Sequence, residues 1–269
     1  MWGTGRNEYG QQGRGDYGIK YVFTEIDSNF SDIAGGWKHT LIIKSDNTMW
    51  GAGENYYGTI GITEHPEYTD LFTSLEGDDW RQVDTWSYQD LAVKQNATYS
   101  VFGCGDNRYG QLGQDDYNGD QYDNFRYKLE EIELSNIDLQ HSLWLSNAVC
   151  GHQHIAVLDT NGHIFTSGYN YYGQLGLGDH GSGTNRWTPT QISSDVYNFI
   201  AAGSWATMAI DEDGSLLVCG RNSVNQAGQL GLNDTNDRDE LTKITQVQSP
   251  IGNVISVPAG TWTQVSIGN

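Results

Sequence analysis

The sequence predicts an all-β fold built from many short strands. Of its 269 residues, 34 are glycine and only 4 are proline, while Tyr, Trp, Thr and Ser are in excess and strong helix formers are few. Aromatic and β-branched residues favour strands, and glycine permits the tight turns that join them. The length is sufficient to bury a sizeable core in one large or two small domains.

A glycine-rich frame, apolar-x-small-Gly-x-Asn-x-x-Gly-x-x-Gly, recurs five times along the chain. The copies begin at Trp2, Trp50, Phe102, Phe165 and Val218, and their asparagines are Asn7, Asn55, Asn107, Asn170 and Asn222. The fifth copy carries three extra residues before Gly228. A pattern of this length at intervals of about 50 residues indicates an internal repeat.

A second pattern lies between these copies and predicts β-hairpins. It starts at Ala34 (AGGWKHTLII), Val149 (VCGHQHIAVL), Ala201 (AAGSWATMAI) and Pro258 (PAGTWTQVSI), with a degenerate copy at Asp84 (DTWSYQDLAV). Most copies are followed by a turn and then by an alternating strand that leads into the next glycine frame, as in a hairpin. Each repeat is therefore predicted to be an antiparallel sheet of about 50 residues, the size of a β-propeller blade.

Five such units predict a five-bladed β-propeller of four-stranded antiparallel blades in a single domain, 1–269. The predicted units lie near 34–83, 84–148, 149–200 and 201–253, and 1–33 shares the remaining blade with 254–269. N- and C-terminal strands that share one blade would close the ring and remove the exposed edges of the sheet.

With these motifs the chain resembles the regulator of chromosome condensation repeat family. The resemblance rests on the Asn-x-x-Gly-Gln-Leu-Gly frame, on GWKHT at 36–40 and on the Asp-x-x-Gly turns, and it covers essentially the whole chain. It implies four-stranded blades around a central axis and no enzymatic chemistry inherent to the fold. Relatives in this family have seven blades, whereas this sequence has repeats for five, so their binding faces do not carry over to it.

The charge of the chain disfavours several classes of partner. The net charge is −20, from 34 acidic against 14 basic residues, and this repels phosphate backbones and anionic lipids. We therefore expect no nucleic-acid binding. No apolar run approaches the length of a membrane span, so no membrane insertion is expected either. The expected partner is a protein with a basic surface.

The compartment is not determined by the sequence. The N-terminus lacks the basic flank and the apolar run of a signal peptide. The three cysteines are an odd number, which argues against a complete disulfide framework. Free cysteines point to the cytoplasm, or to an assembly made there.

Local patterns that could carry chemistry are explained by the repeat. Gly176, Gly178 and Gly181 match GxGxxG, but no helical pattern follows them, so a nucleotide site is not expected. Arg14-Gly15-Asp16 has the form of an adhesion tripeptide, yet its Gly and Asp recur at this place in other copies. The cysteines, Cys104, Cys150 and Cys219, occupy small-residue positions of the repeat and are predicted to be buried thiols.

Metal sites are not expected either. His154 aligns with His39 and is predicted to be a structural, hydrogen-bonded histidine, because no ligand spacing completes a zinc site with His152 and His163. Asp116-x-Asn118-x-Asp120 begins like a calcium loop but has Gln121 at position six and no Glu at position twelve. We predict no catalytic residues and no cofactor, and leave calcium binding by acidic loops open.

Aromatic side chains are the first candidate binding residues. Tyr9, Tyr57, Tyr109 and Tyr172 occupy the same place in four loops and are predicted to line one face. Tyr and Trp combine apolar area with a hydrogen-bonding tip, which suits interfaces. The alternative is that each tyrosine packs its own loop against the neighbouring blade.

An insertion of about 115–142 is the second candidate, because it lengthens one repeat. It is rich in acidic and aromatic residues, and the binding candidates in it are Asp115, Asp116, Tyr117, Asp120, Tyr122, Asp123 and Phe125. Long loops on rigid scaffolds are frequent sites of function. The alternative is a solvated loop.

The sequence thus predicts a non-enzymatic binding or scaffold module that contacts a protein through its loops. A lectin-like or small-ligand-binding propeller is a second hypothesis. A structural component of a larger assembly, such as a virus particle or a cell surface, is a third.

Overall fold

The computed structural model describes residues 1–26, 28–62, 67–95, 99–114, 124–134, 145–223, 228–248, 254–256, 260 and 262–267. Across these ranges the secondary structure is β-strand, turn and loop, with no helix. Contacts between Cα atoms divide the chain into two compact units. The first comprises Met1–Arg108 and Tyr117–Glu133, and the second comprises Tyr109–Asp116 and Leu134–Asn269.

The first unit contains one two-stranded and two four-stranded antiparallel sheets. The two-stranded sheet pairs β1 (Trp2–Gly5) with β2 (Lys20–Glu25). The next sheet has the order β3 (Phe30–Gly35), β4 (His39–Lys44), β5 (Met49–Glu54) and β6 (Tyr68–Ser74). The last consists of β7 (Trp80–Trp86), β8 (Gln89–Gln95), β9 (Tyr99–Asp106) and β10 (Phe125–Glu131), again in chain order.

The second unit repeats this arrangement. One four-stranded sheet consists of β11 (Leu145–Cys150), β12 (His154–Asp159), β13 (Ile164–Gly168) and β14 (Arg186–Gln191). Another consists of β15 (Tyr197–Ala202), β16 (Ala206–Asp211), β17 (Leu216–Gly220) and β18 (Arg238–Lys243). A two-stranded sheet pairs β19 (Gln246–Gln248) with β20 (Val254–Ser256).

The second strand of each four-stranded sheet forms the core. Leu41, Ile42 and Ile43 in β4 are fully buried, as are Ile155 and Ala156 in β12. Because successive residues of a strand point to opposite faces, burial of adjacent residues means that both faces of these strands are covered. The predicted hairpin pattern therefore marks the most buried strand of each sheet.

A β-bulge lies at the glycine that stands two residues before the frame asparagine, near the end of the third strand of the sheet. In the first four-stranded sheet the register between β5 and β6 shifts between Gly51 and Gly53. Gly53 has a φ of 113°, and a β-carbon there would lie 2.3 Å from the carbonyl oxygen of Lys38. Only glycine suits both the dihedral angle and the close approach of the adjacent strand.

The predicted fold class, an all-β protein of four-stranded antiparallel blades, is confirmed, and the repeats are consistent with five blades. The four-stranded sheets begin four residues before the predicted units, because the pattern used to place the units begins within the first strand of each sheet. Within the predicted insertion, Phe125–Glu131 form the outer strand β10. The pairing of the terminal strands into one blade stays a prediction, and residues 268–269 lie outside the described residues.

Candidate functional site

The asparagine of the repeated frame holds each loop in shape. In the fourth copy, the Nδ2 of Asn170 donates to the backbone oxygen of Asp179 at 2.9 Å and to its Oδ1 at 2.8 Å. The Oδ1 of Asn170 accepts from the backbone nitrogen of Leu175 at 3.0 Å. Asn222 makes the same contacts with Asp234 and Leu230. In the fourth copy these hydrogen bonds fix the loop that carries Tyr172, two residues after the asparagine.

The loops of the first and fourth copies reach the outer strand of the sheet that follows each of them. In the first unit, Gly15 donates its backbone N–H to Asp70 at 2.7 Å, and Arg14 forms a β-bridge with Leu71. In the second unit, Gly178 donates to Asp239 at 2.8 Å. The loops are thus anchored at both ends, and their side chains are held in place before any partner binds.

The loops of the first unit carry an aromatic cluster, which we call cluster 1 and define as Trp37, Tyr56, Tyr57, Tyr88 and Phe125. The ring centroid of Tyr57 lies 4.7 Å from that of Tyr88 and 4.9 Å from that of Phe125. Trp37 contacts Tyr88 at 5.5 Å, and Tyr56 contacts Tyr57 at 4.9 Å. Trp37 is 65% exposed and Tyr56 is 59% exposed.

Lys38 connects Tyr9 to cluster 1. Its Nζ lies 4.3 Å from the ring centroid of Tyr9 and 5.8 Å from that of Trp37, and it forms an ion pair with Glu54 at 3.0 Å. Partial burial acts to lower the pKa of Lys38, but the hydrogen bonds and charge interactions with Glu54 and Tyr9 together outweigh it, and the pKa is raised. The ammonium therefore stays charged over the rings.

The second unit carries a corresponding cluster, cluster 2, defined as Tyr109, Tyr169, Tyr171, Tyr172 and Trp205. Tyr169 contacts Tyr109 at 5.0 Å, Trp205 at 5.6 Å and Tyr171 at 6.2 Å between ring centroids. Tyr172 contacts Tyr171 at 5.2 Å and Trp205 at 5.7 Å. Burial, with a smaller contribution from Tyr172, raises the pKa of Tyr169, which therefore stays protonated.

Polar groups border cluster 2. The guanidinium of Arg221 lies 4.4 Å from the ring centroid of Tyr172, and the ring of His152 contacts Trp205 at 4.6 Å. Arginine and histidine against aromatic faces form cation–π or ring contacts that order the side chains. The cluster is thus an amphipathic surface.

The candidate tyrosines contact residues of the following repeat. Tyr57 contacts cluster residues on the following sheet, Tyr109 contacts Tyr169, Tyr172 contacts Trp205, and Tyr9 contacts Lys38. Phe125 lies at the start of β10 and joins cluster 1. The other candidates, Asp115, Asp116, Tyr117, Asp120, Tyr122 and Asp123, lie outside the described residues.

Sequence reasoning missed several members of the clusters. Tyr56, Tyr88, Tyr169 and Tyr171 are not among the candidates. Tyr56 and Tyr171 share a frame position that other copies fill with Glu8 and Arg108, and Tyr88 and Tyr169 do not recur. A signal was present in the sequence, since three of them directly precede or follow frame residues in YNYY and NYY. Their joint contact depends on how the loop of one repeat meets the hairpin of the next.

The predicted structural histidines are hydrogen-bonded to the next repeat. The Nε2 of His39 lies 2.8 Å from the Oδ1 of Asp90, and both side chains are buried. The Nε2 of His154 lies 3.0 Å from the Oγ1 of Thr207, which occupies the position of Asp90. Burial raises the pKa of Asp90, against the effect of His39, and burial lowers the pKa of His154 to about 3. These contacts join neighbouring sheets within each unit.

The predicted buried thiols are confirmed. Cys104, Cys150 and Cys219 form no disulfide and are buried. Burial raises the pKa of Cys104 well above its usual range and that of Cys219 to about 12. Since the thiolate is the nucleophile, neither thiol is activated for nucleophilic chemistry.

Acidic side chains of the loops are paired with cations or backbone donors. Arg186 pairs with Asp179 at 2.6 Å, Arg238 with Asp234, and Lys20 with Asp16 at 3.1 Å. The described ranges contain no group of three or more His, Cys, Asp or Glu residues arranged to hold a metal ion. Nor does the described part of the chain include a helix long and apolar enough to cross a membrane.

Repeated four-stranded antiparallel sheets with braced glycine loops, and with a buried histidine between neighbouring sheets within each unit, define the chain as a β-propeller repeat protein. Models of the regulator of chromosome condensation (RCC1) repeat match residues 161–210, and also 30–59, 147–174 and 199–226. The chain belongs to the regulator of chromosome condensation repeat family.

Similar proteins of this family are longer than this chain. Ultraviolet-B receptor UVR8 of Arabidopsis thaliana is 26% identical over 258 residues, which cover 92% of this chain and 54% of the receptor. Probable E3 ubiquitin-protein ligase HERC3 of Homo sapiens is 30% identical over 207 residues, which cover 75% of this chain and 18% of the ligase. The chain therefore spans about half the length of the first and about a fifth of the second.

Among solved structures, Prp20p of Saccharomyces cerevisiae matches with a TM-score of 0.73. The match covers 90% of this chain and 58% of Prp20p at 18% sequence identity. At this identity the likeness supports the propeller fold and says nothing about the partner.

Proposed function

We propose that this protein is a non-enzymatic protein-binding module whose contact surfaces are clusters 1 and 2. The observation that carries the proposal is the exposure of large aromatic side chains on braced loops: Trp37 is 65%, Tyr56 59% and Tyr171 46% exposed. Aromatic residues that combine exposed area with a fixed orientation are typical anchors of protein interfaces.

The clusters need little reorganisation to bind. Each exposed ring contacts a partly buried aromatic neighbour, such as Tyr88 behind Trp37 and Tyr172 beside Tyr171. The loop that carries Tyr171 and Tyr172 is hydrogen-bonded to the following strand through Gly178. In the loop that carries Tyr56 and Tyr57, the Oδ1 of Asn55 accepts from the backbone N–H of Ile60 at 2.9 Å. Side chains that are already ordered lose less conformational entropy on binding, so more of the contact energy contributes to affinity.

The net charge favours a partner with a basic surface. A charge of −20 accelerates association with a cationic protein and repels acidic ones. The rings of the clusters also accept cations, since Lys38 already lies over Tyr9 and Arg221 over Tyr172. Exposed rings of the same clusters can contact arginine or lysine of a partner in the same way.

Protein binding on this fold has a precedent. Prp20p, which shares the fold, was described together with its binding to Gsp1p and histones. The proposal for this chain rests on its own surface, and the partner is defined by its chemistry: a folded protein with Arg and Lys beside an apolar patch.

An affinity capture with three variants tests the proposal. We would compare wild type with Trp37→Ala, Tyr171→Ala and the matched control Tyr21→Ala, which removes a tyrosine that is 88% exposed and belongs to neither cluster. Partners that bind the clusters should be lost from one or both cluster variants and retained by the control. Their capture should weaken between about 50 mM and about 500 mM salt, because salt screens the charge attraction.

The acidic segment is tested separately. Deletion of 115–123 removes the six acidic and aromatic candidates there and spares strand β10. If partners bind both cluster variants as tightly as wild type, the proposal is wrong, and loss of those partners from the deletion would place the contact on the acidic segment instead.

A further inference from the structure

A cavity of about 540 Å³ lies in the first unit, and no residue of the aromatic clusters lines it. Its apolar walls are formed by Ile62, Leu75, Phe102 and Leu129, and its polar lining includes Trp80, Lys94 and Lys128. The volume is in the range of sites that hold small molecules. The first four-stranded sheet and the sheet of β7–β10 both contribute lining residues.

Trp80 lines this cavity and carries a buried, unpaired donor. The side chain is only 2% exposed, and its Nε1 has no hydrogen-bond partner among the residues that the structure describes. A buried N–H without an acceptor destabilises the folded state. An acceptor that enters the cavity would remove this destabilisation.

Lys94 places a positive charge beside the same donor. It pairs with Trp80 across strands β7 and β8, and its Nζ lies 5.2 Å from the centroid of the indole. A β-carbon on Gly77 would lie 2.8 Å from the Nζ of Lys94 and 3.8 Å from the Nε1 of Trp80. The ammonium and the indole nitrogen therefore converge on one region of the cavity.

The combination of an indole N–H with an ammonium is specific to one of the four-stranded sheets described. The register positions of Trp80 and Lys94 are occupied in the second unit by Leu145 with Asp159 and by Tyr197 with Asp211. The remaining sheet has Phe30 opposite Lys44, and phenylalanine has no N–H to donate. An indole N–H beside an ammonium thus occurs at this register position only in the sheet of β7–β10, among the four four-stranded sheets described.

We propose that this cavity binds a small carboxylate with an apolar body, of the arylalkanoate class. The carboxylate accepts from the indole N–H of Trp80 and pairs with the ammonium of Lys94, and the apolar body lies against Phe102 and Leu129. Lys128 adds a second ammonium at an exposed position, where it also lies 3.8 Å from Glu130. The carboxylate of Glu76 also lines the cavity and disfavours ligands that carry two negative charges.

The test uses the full chain with ¹⁵N-labelled tryptophan and 3-phenylpropionate as the probe. The indole resonance of Trp80 is assigned by its loss in Trp80→Phe, and its shift is followed by NMR as the acid is added. We expect a saturable shift at Trp80. The amide of the same acid should bind roughly tenfold more weakly, and so should the acid to Lys94→Met, because a hydrogen bond to a charged group is worth about one decade of affinity or more.

Two controls separate binding from general effects. Lys44→Met removes the lysine at the equivalent register position, which lies over Trp50 at 3.8 Å, and should leave binding unchanged. A thermal melt of Lys94→Met checks that the variant is folded. The proposal is overturned if the Trp80 resonance shows no saturable shift, if the amide binds as tightly as the acid, or if the folded Lys94→Met and Lys44→Met proteins bind alike. Because the cavity and the clusters share no residue, these outcomes are independent of the proposed protein binding.

Discussion

Replacing Asn170 by alanine removes the brace of one repeat loop, and its cost can be worked out from the structure. The side chain is fully buried and makes three hydrogen bonds, two to Asp179 and one from Leu175. The backbone N–H of Leu175 is buried and would lose its acceptor, at a cost of about 1–3 kcal/mol. Asp179 is partly exposed, so water replaces part of its two bonds and we add about 1 kcal/mol.

The expected loss is therefore about 3 kcal/mol of unfolding free energy, a large fraction of the 5–15 kcal/mol typical of folded domains. Urea denaturation followed by circular dichroism measures it, provided that the slope of the transition is the same in both proteins. Asn161→Ala is the matched control, because Asn161 is exposed in a hairpin turn and should change stability by no more than about 0.5 kcal/mol. If Asn170→Ala and Asn161→Ala cost the same, the loops do not depend on the asparagine and the reasoning fails.

Three further predictions concern buried groups. The folded pKa of His154, about 3, lies below its ordinary 6.5. The contribution of His154 to the unfolding free energy is therefore present above pH 6.5 and is lost as the pH falls, by about 3 kcal/mol at pH 4.5. His154→Gln should remove this pH dependence from the measured unfolding free energy. Asp90 gives the opposite pH dependence, because its folded pKa is raised above 3.8. Its contribution to the unfolding free energy is present below pH 3.8 and is lost as the pH rises through the folded pKa. Asp90→Asn should therefore stabilise the protein at neutral pH relative to pH 4, whereas an unchanged pH profile would show that His39 fully compensates the burial. The three thiols should be unreactive toward a thiol reagent in the native protein and react on unfolding; fast native labelling of any of Cys104, Cys150 and Cys219 would contradict their burial.

The repeating parts of the fold could be predicted from the sequence because one physical requirement acts at equivalent positions. Every frame asparagine must satisfy the same loop backbone, and the glycine at 53 and its equivalents must have a positive φ at the same bulge. Such requirements leave the same residue in each copy. The sheets, the buried cysteines and the structural histidines could therefore be predicted from the sequence.

The contacts between repeats could be predicted less well. Tyr88 and Trp37 come from different sheets, and nothing in the spacing of the sequence shows that their rings lie 5.5 Å apart. Asp90 gave a partial signal, since a carboxylate within an apolar strand implies a buried partner. That the partner is His39, 51 residues earlier, follows from the packing of successive sheets.

Positions at which one repeat departs from the others are therefore the best guide to function in this chain. A residue that recurs in every copy serves the loop or the sheet, as Asn170 and Gly53 do. Trp80 and Lys94 occupy a register position that carries other pairs in the other sheets, so the fold does not require them. The same holds for Trp37, whose equivalent is His152 in the second unit. Comparison of the repeats thus distinguishes residues that the architecture requires from residues that can serve binding. Both proposed sites consist largely of residues that the architecture does not require.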